Sequence, residues 1–337
     1  MEQNTRKIEL EVLYKGKNIS DYINKDLLNF SIEDSASNES DVISIKLQDI
    51  KQNWLKHWIV ANGDNINVKA NSYNWNFAGE KYSINFGDFY VDEPTYTFKP
   101  NTFELKANAI IANTNFRDLQ RTKIWKGATV SGIAQTMAQN NGLSLVFDSK
   151  NNPKIKEKEQ SQETDLEFLK SVCSENGLAL KVYCSKIVIF DEALYESKPP
   201  KLTITPSDML EGATFKKSLT DTGYDKVVLQ YQKGEKKGTI NVSFTRPNAA
   251  GSKTLYINDS VETAAEGLKR CQTVLREKNK KEITGSFSIP GLVRLYSAET
   301  IEIKDAGQFD GVYYIDSKSQ SFSPTVASFE VHKILGY

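Results

Sequence analysis

Apolar and polar residues alternate with a period of two over most of the first hundred residues. IELEVLY (Ile8–Tyr14) alternates aliphatic with charged positions, the pattern of a strand with one face buried. In DLLNFSIEDSASNESDVISIKLQD the alternation runs twice. Phe30 and Ile32 carry it first, then Val42 or Ile43, Ile45 and Leu47, around the polar tip SASNES, which predicts a hairpin. A short amphipathic helix over 53–60 follows, then a strand with Ile66 and Val68 on one face. The block 73–107 predicts three or four aromatic-rich strands, with Tyr73, Trp75 and Phe77 alternating in the first.

The period changes to that of a helix over 113–200. Val130, Ile133, Ala134, Met137 and Ala138 share one helical face, and Asn141-Gly142 is a stop signal before the strand LSLVF. Thr164 and Glu167 make a capping box for a second helix with the stripe Leu166, Leu169, Val172 and Cys173. Asn176-Gly177 ends it, and the strands LALKVY and KIVIFD follow. The lysine-rich NNPKIKEKEQSQE between the two helix-strand units reads as a solvated loop. Pro199-Pro200 marks a boundary. From 201 onward the chain is strand-rich again. It carries one long helix, expected to be capped at Asp259 or Ser260, with Val261, Ala264, Ala265, Leu268, Cys271 or Gln272, and Leu275 inward.

Two stretches repeat. FYVDEPTYTFKP (Phe89–Pro100) and YYIDSKSQSFSP (Tyr313–Pro324) align without gaps, matching Tyr90, Val91, Asp92 and Phe98 to Tyr314, Ile315, Asp316 and Phe322. Each Asp reads as the end of a strand before a polar turn. SAETIEI stands where GDNINV stood. MLEGATFKKSLTDTGYDKVVLQYQKG aligns with the first hairpin, Phe215 for Ile32, Asp225 for Asp41 and Leu229 for Ile45, and the long helix takes the place of the short one. The predicted fold is α+β and mainly β. Two related, antiparallel, barrel-like β domains, 1–112 and 201–337, flank a small α/β insertion, 113–200, with two helix-strand units.

Strongly twisted sheets expose edge strands, and closure into a ring removes the hazard. Two similar domains in one chain let a trimer present six similar domains, threefold on one side and sixfold in effect on the other. The aromatic repeat supplies the candidate interface: Phe89, Tyr90, Val91, Asp92, Phe98, Tyr313, Tyr314, Ile315, Asp316 and Phe322.

Charge narrows the classes. The 337 residues carry 43 basic and 43 acidic side chains, a net charge of zero. That balance argues against a dedicated nucleic-acid or membrane-surface protein. The start, MEQNTRKIEL, has no apolar signal core, no run is long enough to cross a membrane, and synthesis in the cytoplasm is expected. Cys173, Cys184 and Cys271 have no paired spacing and read as reduced. The histidines are His57 and His332, each read as a surface or packing residue. No metalloprotease, nucleophile-elbow, phosphate-loop or EF-hand signature occurs. No catalytic, cofactor or metal residue is assigned. Asp92 and Asp316 form the one tempting carboxylate pair. A glycan-binding module is the alternative reading, since the helix-strand units resemble small peptidoglycan-binding domains, with a cell-wall hydrolase behind it.

Trp125-Lys126-Gly127-Ala128-Thr129 leads into Ile133-Ala134 and then Asn141-Gly142-Leu143. Gln160-Ser161-x-x-Thr164-Asp165-Leu166-Glu167-Phe168-Leu169 is followed by Glu175-Asn176-Gly177-Leu178. These motifs resemble the late control D family of phage tail proteins, residue by residue over about 120–190 and by element order over the rest. The resemblance implies the baseplate hub of a contractile tail, whether of a phage, a phage-like bacteriocin or a related injection machine. It implies two tube-type β domains around the insertion and a homotrimer joining a hexameric tail tube to a trimeric spike. The implied partners are the tail tube protein and the spike protein, with tape-measure and other baseplate proteins as further candidates. No membrane and no specific nucleic acid are implied. The implied role is structural, without catalytic residues or cofactors, in the baseplate of a virion or tail-like particle. With no β-helical extension after Tyr337, the spike is expected to be a separate chain.

Overall fold

Alternation with one wet face becomes antiparallel sheet, and the helical stripes become short helices laid on it. The computed structural model describes residues 5–37, 39–75, 77–109, 115–232 and 238–337. The first part holds β1 (Lys7–Tyr14), β2 (Lys17–Asn18), α1 (Ser20–Asp26), β3 (Leu27–Ser35), β4 (Val42–Gln48), α2 (Asn53–Lys56), β5 (Asn65–Tyr73), β6 (Lys81–Thr97) and β7 (Thr102–Asn108). The middle holds α3 (Asn115–Asp118), β8 (Gln120–Thr129), α4 (Val130–Asn140), β9 (Ser144–Asp148), β10 (Lys154–Thr164), α5 (Asp165–Glu175), β11 (Ala179–Tyr183), β12 (Lys186–Phe190) and α6 (Glu192–Glu196). The last part holds β13 (Thr203–Ile204), β14 (Thr214–Lys217), β15 (Lys226–Gln232), β16 (Thr239–Thr245), β17 (Thr254–Ile257), α7 (Ala264–Asn279), β18 (Ile283–Pro290), β19 (Thr300–Ile303), β20 (Gly311–Phe322) and β21 (Thr325–Lys333). The fold is mainly β, of the α+β class.

The two strand-rich parts have one strand order. The first runs β1-β5-β6-β7-β4-β3 and the second β13-β19-β20-β21-β18-β14, which is the same sequence of first, fourth, fifth, sixth, third and second strands. They differ where β1 meets β5 antiparallel and β13 meets β19 parallel. The repeat extends to single bonds. Gly63 N–H to Val91 C=O and Val91 N–H to Asp64 C=O recur as Ala298 to Ile315 and Ile315 to Glu299. A bulge sits at Asp92 between β6 and β7, and again at Asp316 between β20 and β21. The Asp residues therefore lie within long strands, not before turns.

Several expectations change. β14 pairs with β18, not with β15, so 214–232 is not a second hairpin. Phe215 does occupy the place of Ile32, but the counterpart of Ile45 is Phe287 in β18, not Leu229. β16-β15-β17 form their own sheet under α7, with a core of Val227, Leu229, Val261, Cys271, Val274 and Leu275. This unit is inserted between β14 and β18, so α7 does not replace α2. Alternation marks a strand but not its partner, and a segment that can bury its own face need not join the main sheet. α7 begins at Ala264, with Thr263 Oγ1 accepting the Glu266 N–H at 3.1 Å, and Leu268 stays 45% exposed. The supposed loop 151–163 contains β10, paired with β8. Its charges pair across the ribbon, Lys126 to Glu157 at 3.3 Å, and buried Gln160 accepts from the Trp125 indole. β5 ends at Tyr73, Asn74 turns with φ 55°, and Phe77 is 66% exposed, so no aromatic ladder forms there.

Two clusters of buried charge fasten the parts. Asp34 of β3 accepts from Lys181 Nζ of β11 at 2.5 Å, and from the Ser297 N–H and hydroxyl at 2.8 and 2.6 Å. Lys181 also reaches Asp41 at 3.0 Å. Burial pushes the Asp41 carboxyl up, Lys181 opposes it and Asp34 adds to it, leaving it at about 6. The second cluster centres on His332 of β21, which is 2% exposed and so not a surface residue. Its Nδ1 meets Asp316 at 2.7 Å and its Nε2 meets Glu196 at 3.4 Å. Arg276 of α7 pairs with Glu196, and Lys280 with Glu192 at 2.6 Å. Burial works against the charged ring, yet the charge of Asp316 and the bonds from Asp316 and Glu196 outweigh it and lift His332 from 6.5 to about 9.

Lys181→Met leaves Asp34 and Asp41 without their cation, and should cost about 3–5 kcal/mol in urea unfolding. The His332 contribution is complete below about pH 6.5, where folded and unfolded chains both hold the proton. It is lost as pH rises towards 9, roughly 3 kcal/mol in all. Denaturation midpoints should therefore fall between pH 7 and 9 in the wild type, and the fall should flatten in His332→Gln.

Candidate functional site: the seam and the free edges

β20 pairs with β21 on one side and, beyond its bulge, with β3 on the other. Ser317 faces Ser35, Lys318 faces Asp34 and Ser321 faces Ser31. This joint makes one sheet of both strand-rich parts. Phe322 follows β3 across it and packs on Phe30 at 4.9 Å and Phe86 at 6.3 Å between ring centres. Behind the joint lies a crevice of about 260 Å³, walled by Ile84, Phe86, Tyr183, Val188 and Tyr296. Lys318 is only 6% exposed there and donates to the Val293 carbonyl at 2.7 Å, and burial pulls its pKa down to about 8.

Two edges remain. β14 ends the sheet, bonded only to β18. Glu93–Thr97 of β6 has β7 on one side, while β5 stops pairing at Tyr90 on the other. Among the described residues no strand pairs with either edge.

The ten interface candidates divide accordingly. Phe89 and Val91 lie in the core of the first part, and Tyr313, Tyr314 and Ile315 are buried in the second. These five are corrected from interface to core: Phe89 and Val91, like Tyr313 and Ile315, alternate onto the core face of their strands, and Tyr314 is buried on the other face with its ring centre 5.2 Å from that of His332. Tyr90 is half-buried, its hydroxyl 3.3 Å from that of Ser185. Asp92 accepts from Asn108 at 2.7 Å and Asp316 from His332. Phe322 is spent on the internal joint. Phe98 is 61% exposed. Sequence reasoning missed Asp34, Lys181, Ser297 and Lys318. Polar residues at inward positions of an alternating strand, Asp34 after Ile32 and Lys318 after Asp316, were the available signal.

Asp92 and Asp316 cannot work as a pair. The strands between them run β20-β3-β4-β7-β6, four spacings or about 19 Å along the sheet. Glu192, Glu196 and His332 bring possible ligand atoms within 4.8 Å of one another. Arg276 and Lys280 already neutralise those carboxylates and the ring holds its proton, so this donor set does not fit a metal ion.

No family model matches the sequence. Over 133 residues the chain is 30% identical to the probable baseplate hub protein of Escherichia phage 186, a match that takes in 37% of this chain and 33% of that protein. The fold is similar to the 43 kDa tail protein of prophage MuSo2 from Shewanella oneidensis, with a TM-score of 0.73 and 15% identity over 98% of this chain and 99% of that one. A tail protein from Neisseria meningitidis MC58 matches at a TM-score of 0.72 and 13% identity, covering 98% of each chain. The chain thus shares its fold with these tail proteins along nearly its whole length, and about a third of it matches a baseplate hub protein in sequence.

Proposed function

We propose that this chain is a structural hub of a contractile tail baseplate. It assembles as a homotrimer whose six similar β units, 1–112 and 201–337 in each copy, adapt a hexameric tail tube to a trimeric spike. The observation that carries this reading is the shared strand order of the two parts, down to the bulge at Asp92 and Asp316. Two like units joined edge to edge in one chain are what a threefold ring needs in order to offer a near-sixfold face. The region 113–200 stands outside that sheet, with its own core around Phe168 and Ile189. The tube protein and the spike protein are the partners, and tape-measure and other baseplate proteins are further ones. The role needs no catalysis, in keeping with the separation of Asp92 from Asp316 and with buried charges already spent on one another.

Native mass spectrometry at micromolar concentration should give a trimer, and co-expression with tube and spike proteins should yield a complex containing all three chains. A chain that stays monomeric with both partners present would refute the adaptor. In a peptidoglycan zymogram the purified protein should leave the gel uncleared; clearing that disappears in Asp92→Asn or Asp316→Asn would overturn the non-enzymatic role.

A further inference from the structure

The internal joint specifies an external one. Glu93–Thr97 matches Ser317–Ser321 residue for residue after the two bulges, and β14 matches the outer half of β3. In the chain, the second of each pair is used: Ser317–Ser321 of β20 takes β3. The first of each is left open, β6 beyond its bulge and β14 at the sheet's end. We infer that Glu93–Thr97 of one copy pairs antiparallel with β14 of the next, with Thr95 opposite Lys216 and Tyr96 opposite Phe215. The inference rests on the trimeric reading and adds its contact strands and register. Three such joints alternate with the three internal ones and leave no open edge at these positions.

The side chains suit the joint. Phe98 is exposed, while its counterpart Phe322 is covered by the strand across the internal seam. The Phe98 ring lies tilted against Tyr96, centres 4.9 Å apart, and a second copy would bring Phe215 opposite Tyr96. Phe215 already lies flat over Gly285, its partner in β18, where a Cβ would come within 2.5 Å of the ring. On the other face, exposed Lys216 would meet a ladder carrying Glu93 and Glu104. The Ala36 N–H to Asp316 C=O bond fixes the alternation, so that Lys318 turns its own N–H towards β3. Pro94 stands in that place and has no N–H. The external ladder is therefore one bond shorter than the internal one, and a proline is tolerated there because the strand is an edge in the single chain.

Thr95 and Lys216 correspond to Ser319 and Glu33, a non-hydrogen-bonded pair, for which Cα atoms lie about 4.5 Å apart, within reach of a disulfide. The test is Thr95→Cys/Lys216→Cys in a Cys184→Ser background, oxidised mildly and run on a denaturing, non-reducing gel. Covalent trimers are expected. Thr95→Cys/Thr220→Cys is the control, displaced by about 13 Å along the strand and expected to stay uncrosslinked. A trimer by native mass spectrometry without cross-linking, or with equal cross-linking in the control, overturns this register and leaves the trimer standing. A monomer without cross-links overturns both.

Discussion

The pairing of β20 with β3 is the constraint on which the rest of the sheet depends. Without it the two strand-rich parts would each present an open edge, and the polar residues after Asp316 would have no reason to turn inward. With it, Lys318 and Gln320 are buried against β3 and bonded to the carbonyls of Val293 and Gly291. The register is held by chemistry on both faces. Asp34 is bound by Lys181 and Ser297 beside the joint, and Phe322 sits on Phe30 at its end. A slip of one residue would exchange these faces and strand a buried lysine among apolar groups.

The two parts diverge where the sheet is least affected. In the second, a complete unit of three strands and α7 is inserted between the counterparts of β3 and β4. It leans on the middle region through polar contacts, Ser174 to Glu277 at 2.9 Å and Lys156 to Glu262 at 3.1 Å. The central pairs β6–β7 and β20–β21 keep their register and bulge, so the repeated framework survives beneath different elaborations, although β13 and β14 are shorter than β1 and β3.

Strongly shifted ionisable groups mark functional sites in many proteins. Here Asp41 and Lys318 are shifted by burial at joints between parts of the chain, and His332 by the carboxylates that meet it there against the effect of burial; each is held by a named partner. Their chemistry is that of fasteners. The cost of burying them is met by pairing, and removing one partner leaves the other exposed to the full penalty.

Much of this was legible in the sequence. Period and capping gave the hairpin β3–β4, α4, α5 with its Thr164–Glu167 box, and the paired Asp92 and Asp316 strands, because strand and helix formation depend on residues a few positions apart. The motif-level resemblance to a tail-protein family in 120–190 also stood in the residues themselves. What the sequence left open was which strand pairs with which. The alternation of β14 and β15 is identical whether they form a hairpin or enter separate sheets, and the charged β10 looks like a loop until β8 supplies its partners. The inward course of Lys318, the burial of His332 and the open edge beside Phe98 were decided only by tertiary structure, since each depends on a strand hundreds of residues away arriving at one side and not the other.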